Sequence, residues 1–186
     1  MKVRYEREIA IGVGAFMLVV FSTYGVQVHR LTAVLSAPSA TSVERLKVPS
    51  IGVDAAIERV ALTPDGAMDT PDGPQNVGWY SPGPYPGEEG SAVIAGHRGW
   101  KDGIPAVFDD LDRLRVGDRI IVVDDEGNEH AFIVRETRVY QKDSPAPEVF
   151  VSNEGVHLNL ITCVGAWDSA LQSSEERLVV FTDLVM

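Results

Sequence analysis

One side chain stands apart for its chemistry. Cys163 is the only cysteine in the 186 residues, so no internal disulfide can form and no cysteine pair offers a zinc site. A thiol attacks carbonyl carbon as its thiolate, and a neighbouring base or cation raises the thiolate fraction. Cys163 ends the run Leu158-Asn-Leu-Ile-Thr-Cys and is followed by Val164-Gly165. That pattern predicts a buried strand emerging into a loop. The position suits a nucleophile held rigidly but within reach, and equally a capped core thiol.

Four histidines are candidate partners. His29 lies beside a long apolar run, far from any site. His157 precedes Cys163 by six positions on the same strand, about 20 Å at 3.3 Å per residue, and cannot touch the sulfur. His130 opens a strand of a hairpin, as a solvated or cross-strand residue. His97 ends the apolar run Val93-Ile-Ala-Gly96 and precedes Arg98-Gly99. Like Cys163, it is a polar residue at the mouth of a buried strand. Alone it reads first as a structural histidine and only second as an acid/base. Paired with a mouth-placed thiol in an exported chain, it reads as the base.

Arg177 begins the final apolar run. Antiparallel pairing of that strand with the one ending at Cys163 would set the two residues side by side, with the 13 residues between them as a loop over the site. A guidinium there can donate to a developing oxyanion or to a peptide carbonyl. The alternative is a surface ion pair with Glu175 or Glu176. No rival site competes. Asp124, Asp125 and Glu126 form a turn that matches no calcium loop, and Asp109, Asp110 and Asp112 belong to a short helical stretch and face water. The chain carries no G-x-S-x-G, H-E-x-x-H or phosphate-loop pattern.

The elements that must position these residues are short strands. Ser91–Ala95, Arg119–Val123, His130–Val134, Val156–Ile161 and Leu178–Phe181 are compact apolar or alternating runs, and residues 124–128 form a hairpin turn between two of them. Prolines at 71, 74, 82, 84 and 86 exclude a long helix there. Val107, Phe108, Leu111 and Leu114 share one helical face. The pattern predicts an all-β barrel or sandwich of about 140 residues.

Upstream, residues 9–28 carry no charge and are long enough to span a bilayer as a helix, about 20 residues at 1.5 Å each. Lys2, Arg4 and Arg7 precede the segment, which favours an inside N-terminus. A cleavable signal would have a shorter apolar region and a clearer cleavage site than Ser36-Ala37-Pro38. The reading is therefore an inside segment 1–8, a transmembrane anchor 9–28, a linker 29–44 rich in Ser, Ala and Thr, and an extracellular domain 45–186. The formal net charge of −11 argues against nucleic acid and against a domain lying flat on anionic lipid.

Three motifs carry a resemblance to a known family. Leu160-Ile161-Thr162-Cys163 resembles the sortase cysteine signature, with Asn159 where that signature begins on Thr. Ile94-Ala95-Gly96-His97-Arg98 resembles the sortase histidine motif. Glu176-Arg177-Leu178-Val179-Val180 resembles the arginine strand, at the typical Cys-to-Arg gap, and residues 48–54 resemble the opening strands. Gly78-Trp79-Tyr80 and the Pro-rich stretch are similar to class E and F members. The resemblance implies a closed eight-stranded β-barrel with short helices behind one transmembrane helix. It implies a membrane-anchored cysteine transpeptidase of a Gram-positive cell surface, with Cys163 as nucleophile, His97 as acid/base and Arg177 as oxyanion stabiliser or binder of the motif backbone. Thr162 would shape the substrate pocket. The implied substrates are secreted proteins with a motif like Leu-Pro-x-Thr-Gly, passed to an amine on a peptidoglycan precursor or a pilin lysine, with no cofactor. The rivals are an extracellular β-domain that binds a cell-wall partner around a buried Cys163, and a thiol peptidase that hydrolyses.

Overall fold

The computed structural model describes residues 43–152, 154–168 and 173–185. The expected membrane segment 9–28 and nearly all of the linker lie outside these residues. Among the described residues no helix is long and apolar enough to cross a membrane.

Eight strands follow in order: β1 (Val43–Val48), β2 (Val53–Val60), β3 (Val77–Tyr80), β4 (Gly90–Gly96), β5 (Arg119–Asp124), β6 (Glu129–Gln141), β7 (Val156–Asp168) and β8 (Ser173–Leu184). They close into a barrel in the order β1-β2-β3-β4-β7-β8-β6-β5, sealed by antiparallel pairing of β1 with β5. The all-β closed barrel expected from the sequence is therefore the fold. The pairs β2/β3 and β4/β7 are parallel and the rest antiparallel. A parallel pair needs a long connection. Residues 97–155, which hold β5, β6 and one short helix, α1 (Pro147–Phe150), make the return from β4 to β7.

Period-two alternation sorts the side chains. On β5 the odd–even pattern buries Ile120, Val122 and Asp124. The barrel interior is filled by Leu46, Val48, Val77, Trp79, Ile94, Phe108, Ile120, Val122, Phe132, Leu158, Leu160 and Val180 among others. A smaller cluster of Val93, Val149, Val179 and Phe181 occupies the outer face of β4, β7 and β8, with Ile161, Tyr80, Tyr140, Met68 and Ala146 packed on it.

Three local expectations are revised. The helical face at 107–114 is a turn followed by one 3₁₀ turn, Leu111–Arg113, which still buries Phe108, Leu111 and Leu114. Cys163 is not the last residue of its strand, because β7 runs to Asp168 past a bulge between Val164 and Trp167. Gly165 sits in that bulge at φ +85°, where a Cβ would be strained. Arg177 does not begin β8, which starts at Ser173. The segment after Cys163 is thus the arms of a long hairpin, because backbone pairing resumes at Trp167 with Ser174.

Phe108 links the core to the end of β4. Its backbone N–H donates to His97 O at 2.9 Å, and its ring fills the space where Gly96 lacks a side chain. A Cβ on Gly96 would come to 2.4 Å from Phe108 Cδ2. Gly96→Ala is expected to destabilise the domain by about 1–3 kcal/mol through overpacking. Phe108→Ala is expected to cost about 3–5 kcal/mol. Urea unfolding of the two single variants, of Phe108→Leu and of Gly96→Ala/Phe108→Leu checks this: the glycine change should cost less when the ring is gone. Additive costs would show that the contact does not govern the position.

Candidate active site

β7 lies between β4 and β8, and each pairing brings one site residue to it. On one side Cys163 is directly opposite Arg177 in the antiparallel β7/β8 ladder. On the other, the parallel ladder pairs Ala95 with Ile161. Thr162 then donates its hydroxyl to Gly96 O at 2.8 Å. The next residue of each chain is His97 and Cys163, which therefore come level on strands about 4.8 Å apart. The site joins residues 66 and 14 positions apart in the chain through a single three-strand sheet.

Alternation fixes which way they face. Ile94, Leu158, Leu160, Leu178 and Val180 point inward, so Val93, Ala95, Ile161, Cys163, Arg177 and Val179 belong to the outer face. Cys163 and Arg177 are therefore at one end of an outer wall whose floor is the small cluster around Val93, Ile161 and Val179. Cys163 is partly exposed, so it is not a fully capped core thiol. The Arg177 guanidinium bends back along its strand and donates from Nη1 to Ser174 O at 2.8 Å and Glu176 O at 2.9 Å.

His97 is held on two sides. Its Nε2 lies 3.0 Å from Pro71 O. A carbonyl only accepts, so Nε2 carries the hydrogen, and in the neutral ring the lone pair sits on Nδ1. Trp100 meets the ring edge-on at a centroid distance of 4.7 Å. The backbone after His97 is braced by Asp109, whose carboxylate accepts from Gly99 N at 2.6 Å and Ala106 N at 3.1 Å. Asp112 accepts from Arg98 at 2.9 Å and Asp110 pairs with Arg113 at 3.1 Å. These three acids were expected merely to face water. Asp110 and Asp112 do face water, and all three also form ion pairs or accept backbone hydrogen bonds, Asp109 and Asp112 around the loop that leaves His97.

The other candidates fall elsewhere. Thr162 is 2 % exposed, has the inward parity of Leu160, and spends its hydroxyl on the β4 backbone, so it shapes the site by locking β4 to β7. His157 lies near the opposite end of the barrel, with Nδ1 2.8 Å from Asp183 Oδ1 and Nε2 2.8 Å from Glu154 O, both of them acceptors. His130 lies at that opposite mouth, 3.4 Å from Asp124 Oδ2 and edge-on to Tyr85. Residues 124–128 form the expected tight turn, with Asp124 accepting from Glu126 N, Asn128 N and Asn128 Nδ2. Among the described residues no group of three or more His, Cys, Asp or Glu side chains could hold a metal ion. Sequence reasoning missed Pro71 and Trp100. A backbone carbonyl has no residue-type signal, and Trp100 lies beyond the strand that carries the histidine.

The comparisons agree with this architecture. The family model described as "Sortase domain" matches residues 46–185. Sortase C1 of Streptococcus agalactiae, in its complex with MTSET, is 22% identical with a TM-score of 0.58, over 76% of this chain and 66% of that one. Sortase C-1 of Actinomyces oris is 22% identical with a TM-score of 0.59, over 76% and 73%. Sortase A of Corynebacterium diphtheriae is 20% identical with a TM-score of 0.59, over 78% and 61%. The chain thus spans about two thirds of the length of these solved structures. No curated protein sequence matches it. By the match of the family model to three quarters of its length, the chain belongs to the sortase family.

Proposed function

We propose that the chain is a cysteine transpeptidase that cleaves a sorting motif and passes the acyl group to an amine. The observation that carries this reading is the register of the three-strand sheet. It sets Cys163 opposite Arg177 and level with His97 in a member of the sortase family.

In this mechanism the Cys163 thiolate attacks the carbonyl carbon of the scissile peptide, and the electron pair moves to the carbonyl oxygen. Arg177 swings from its own strand's carbonyls to that oxyanion or to the substrate backbone. The C–N bond breaks as the His97 imidazolium gives its Nδ1 proton to the leaving amine, and a thioester remains. An incoming amine then attacks the thioester, His97 takes its proton, and the thiolate leaves. The partly buried Ile161, on the same face of β7 as Cys163, would offer an apolar contact to a motif like Leu-Pro-x-Thr-Gly, and the acceptor would be a peptidoglycan or pilin amine. The uncharged run 9–28 would anchor the domain to the outer side of the membrane.

Incubation with a panel of sorting-motif peptides, with and without an added amine, tests the reaction class by mass spectrometry of the products. An amide product that needs the amine is the expected result; hydrolysis alone in the presence of amine makes the protein a thiol peptidase. Cys163→Ala is expected to abolish cleavage and transfer, and full activity in that variant would leave a binding domain with a structural thiol. His97→Ala should leave almost no turnover. Arg177→Ala should lose about 10²–10³ in rate. Arg177→Lys should recover little of it, since an ammonium does not reproduce the planar fork. His157→Ala should keep near-normal turnover in any folded variant, a contrast that steady-state rates on one peptide read directly. For the anchor, protease added to intact cells is expected to digest the domain, whereas a mature N-terminus mapped near residue 38 would mean a removed signal.

A further inference from the structure

The hydrogen bond that holds His97 is itself held. Pro71 belongs to a strap, residues 71–76, that crosses the outer face of β3. The strap can lie there because Gly78 has no side chain: a Cβ would come to 3.3 Å from Pro71 Cδ and 2.8 Å from Val60 Cγ1. On one side the strap is tied to the loop after His97, with Gln75 Nε2 donating to Pro105 O at 2.7 Å and Val107 N to Pro74 O at 2.8 Å. On the other a single carboxylate on β2 clamps it. Glu58 Oε2 accepts from Asp72 N at 2.8 Å and Oε1 from Asn76 Nδ2 at 2.5 Å.

Asp72 N–H and Pro71 C=O are the two ends of one peptide group. In a trans peptide they point in opposite directions across a rigid plane. The chain of contacts is therefore Glu58 carboxylate, peptide N–H, peptide C=O, His97 Nε2–H. A carboxylate on the N–H polarises the peptide and strengthens the carbonyl as acceptor. It also fixes the carbonyl's direction, and with it which imidazole nitrogen keeps its hydrogen.

We propose that Glu58 is a positioning residue for His97, acting through the Pro71–Asp72 peptide group that lies between them. Glu58 touches no reacting atom. It keeps Nε2 as the protonated nitrogen and leaves Nδ1 for proton transfer, as an orienting carboxylate does in a catalytic triad, with a peptide group interposed. The proposal rests on the reading of His97 as acid/base.

The test is made first without turnover, in Cys163→Ala protein, so that its failure is separate from failure of the transpeptidase reading. Nitrogen NMR of the neutral His97 imidazole should show the Nε2–H tautomer. Glu58→Ala should give a mixture of tautomers. Glu58→Gln, which can still accept from Asp72 N–H, should keep the Nε2–H tautomer. The charged groups around the loop that follows His97, Arg98 with Asp112, Asp109, and Lys101 over Trp100, are the same in every variant. With Cys163 restored, Glu58→Ala should lower kcat by about 10-fold to 100-fold with KM nearly unchanged, and Glu58→Gln should recover most of that loss. An Nδ1–H tautomer in the parent overturns the proposal. So does a folded Glu58→Ala with the parent's tautomer. If Glu58→Ala fails to fold, a folded Glu58→Met, which keeps the bulk but cannot accept from Asp72 N–H as a carboxylate does, overturns it as well if it shows the parent's tautomer.

Discussion

The seam between β4 and β7 is the constraint on which the site depends. These strands run parallel, so they cannot be joined by a hairpin, and 59 residues between them must wrap round the rest of the barrel before the second strand returns. The hydroxyl of Thr162 on Gly96 O closes the seam at its upper end. Slip the register by one residue and every side chain on β7 changes face. Cys163 would then point into the core and Leu160 or Thr162 outward. The buried row Leu158, Leu160 and Val180 resists that slip, because moving it would expose apolar area worth about 25 cal/mol per Å². The interior packing thus holds the nucleophile's direction.

The two ends of the barrel have different characters. At the upper end the outer wall carries Cys163 and Arg177, with His97 held beside them by Pro71 and Trp100. At the lower mouth Arg59, Trp79, Tyr85, Glu88, Asp124, Glu126 and His130 line a second concavity. There the Tyr85 hydroxyl is pushed up to about 12, by burial first and then by the carboxylates of Asp124, Asp125, Glu88 and Glu126. It therefore stays protonated throughout the working range, and its ring packs edge-on against Trp79. Gly87 lets the loop close on this mouth, since a Cβ would meet the His130 ring at 2.6 Å. This end is packed by aromatic edges, and the His130 ring lies between Tyr85 and the Asp124 carboxylate.

Much of this was legible in the residues. Alternation in Val156–Ile161 marks a half-buried strand because side-chain period is a local property, and Arg119–Val123 is legible as a β-branched run that ends at a turn. The turn at 124–128 was legible because Asp124 and Asn128 satisfy its backbone from within the turn. The side-by-side placement of Cys163 and Arg177 followed from antiparallel pairing of adjacent runs. The lengths of β6, β7 and β8 were not legible. Bulges at Val134/Glu136 and Val164/Trp167 break the alternation while the strands continue. The short β3 was missed too, because four residues give too little pattern and its pairing with β2 is parallel across a proline-rich strap. Least legible was the support of His97. Glu58 lies 39 positions before it and acts on it through a backbone carbonyl, which no residue type reveals.

The central claim is that Cys163, His97 and Arg177 form one site that proceeds through a thioester on Cys163. Rapid acid quench of the enzyme mixed with a sorting-motif peptide, followed by intact-protein mass spectrometry and peptide mapping, tests it most directly. The account predicts an adduct of the peptide's N-terminal portion on Cys163 that accumulates without amine and disappears when amine is added. Cleavage with no adduct on Cys163 under quench conditions that preserve thioesters would contradict it, as would an adduct mapped to another residue.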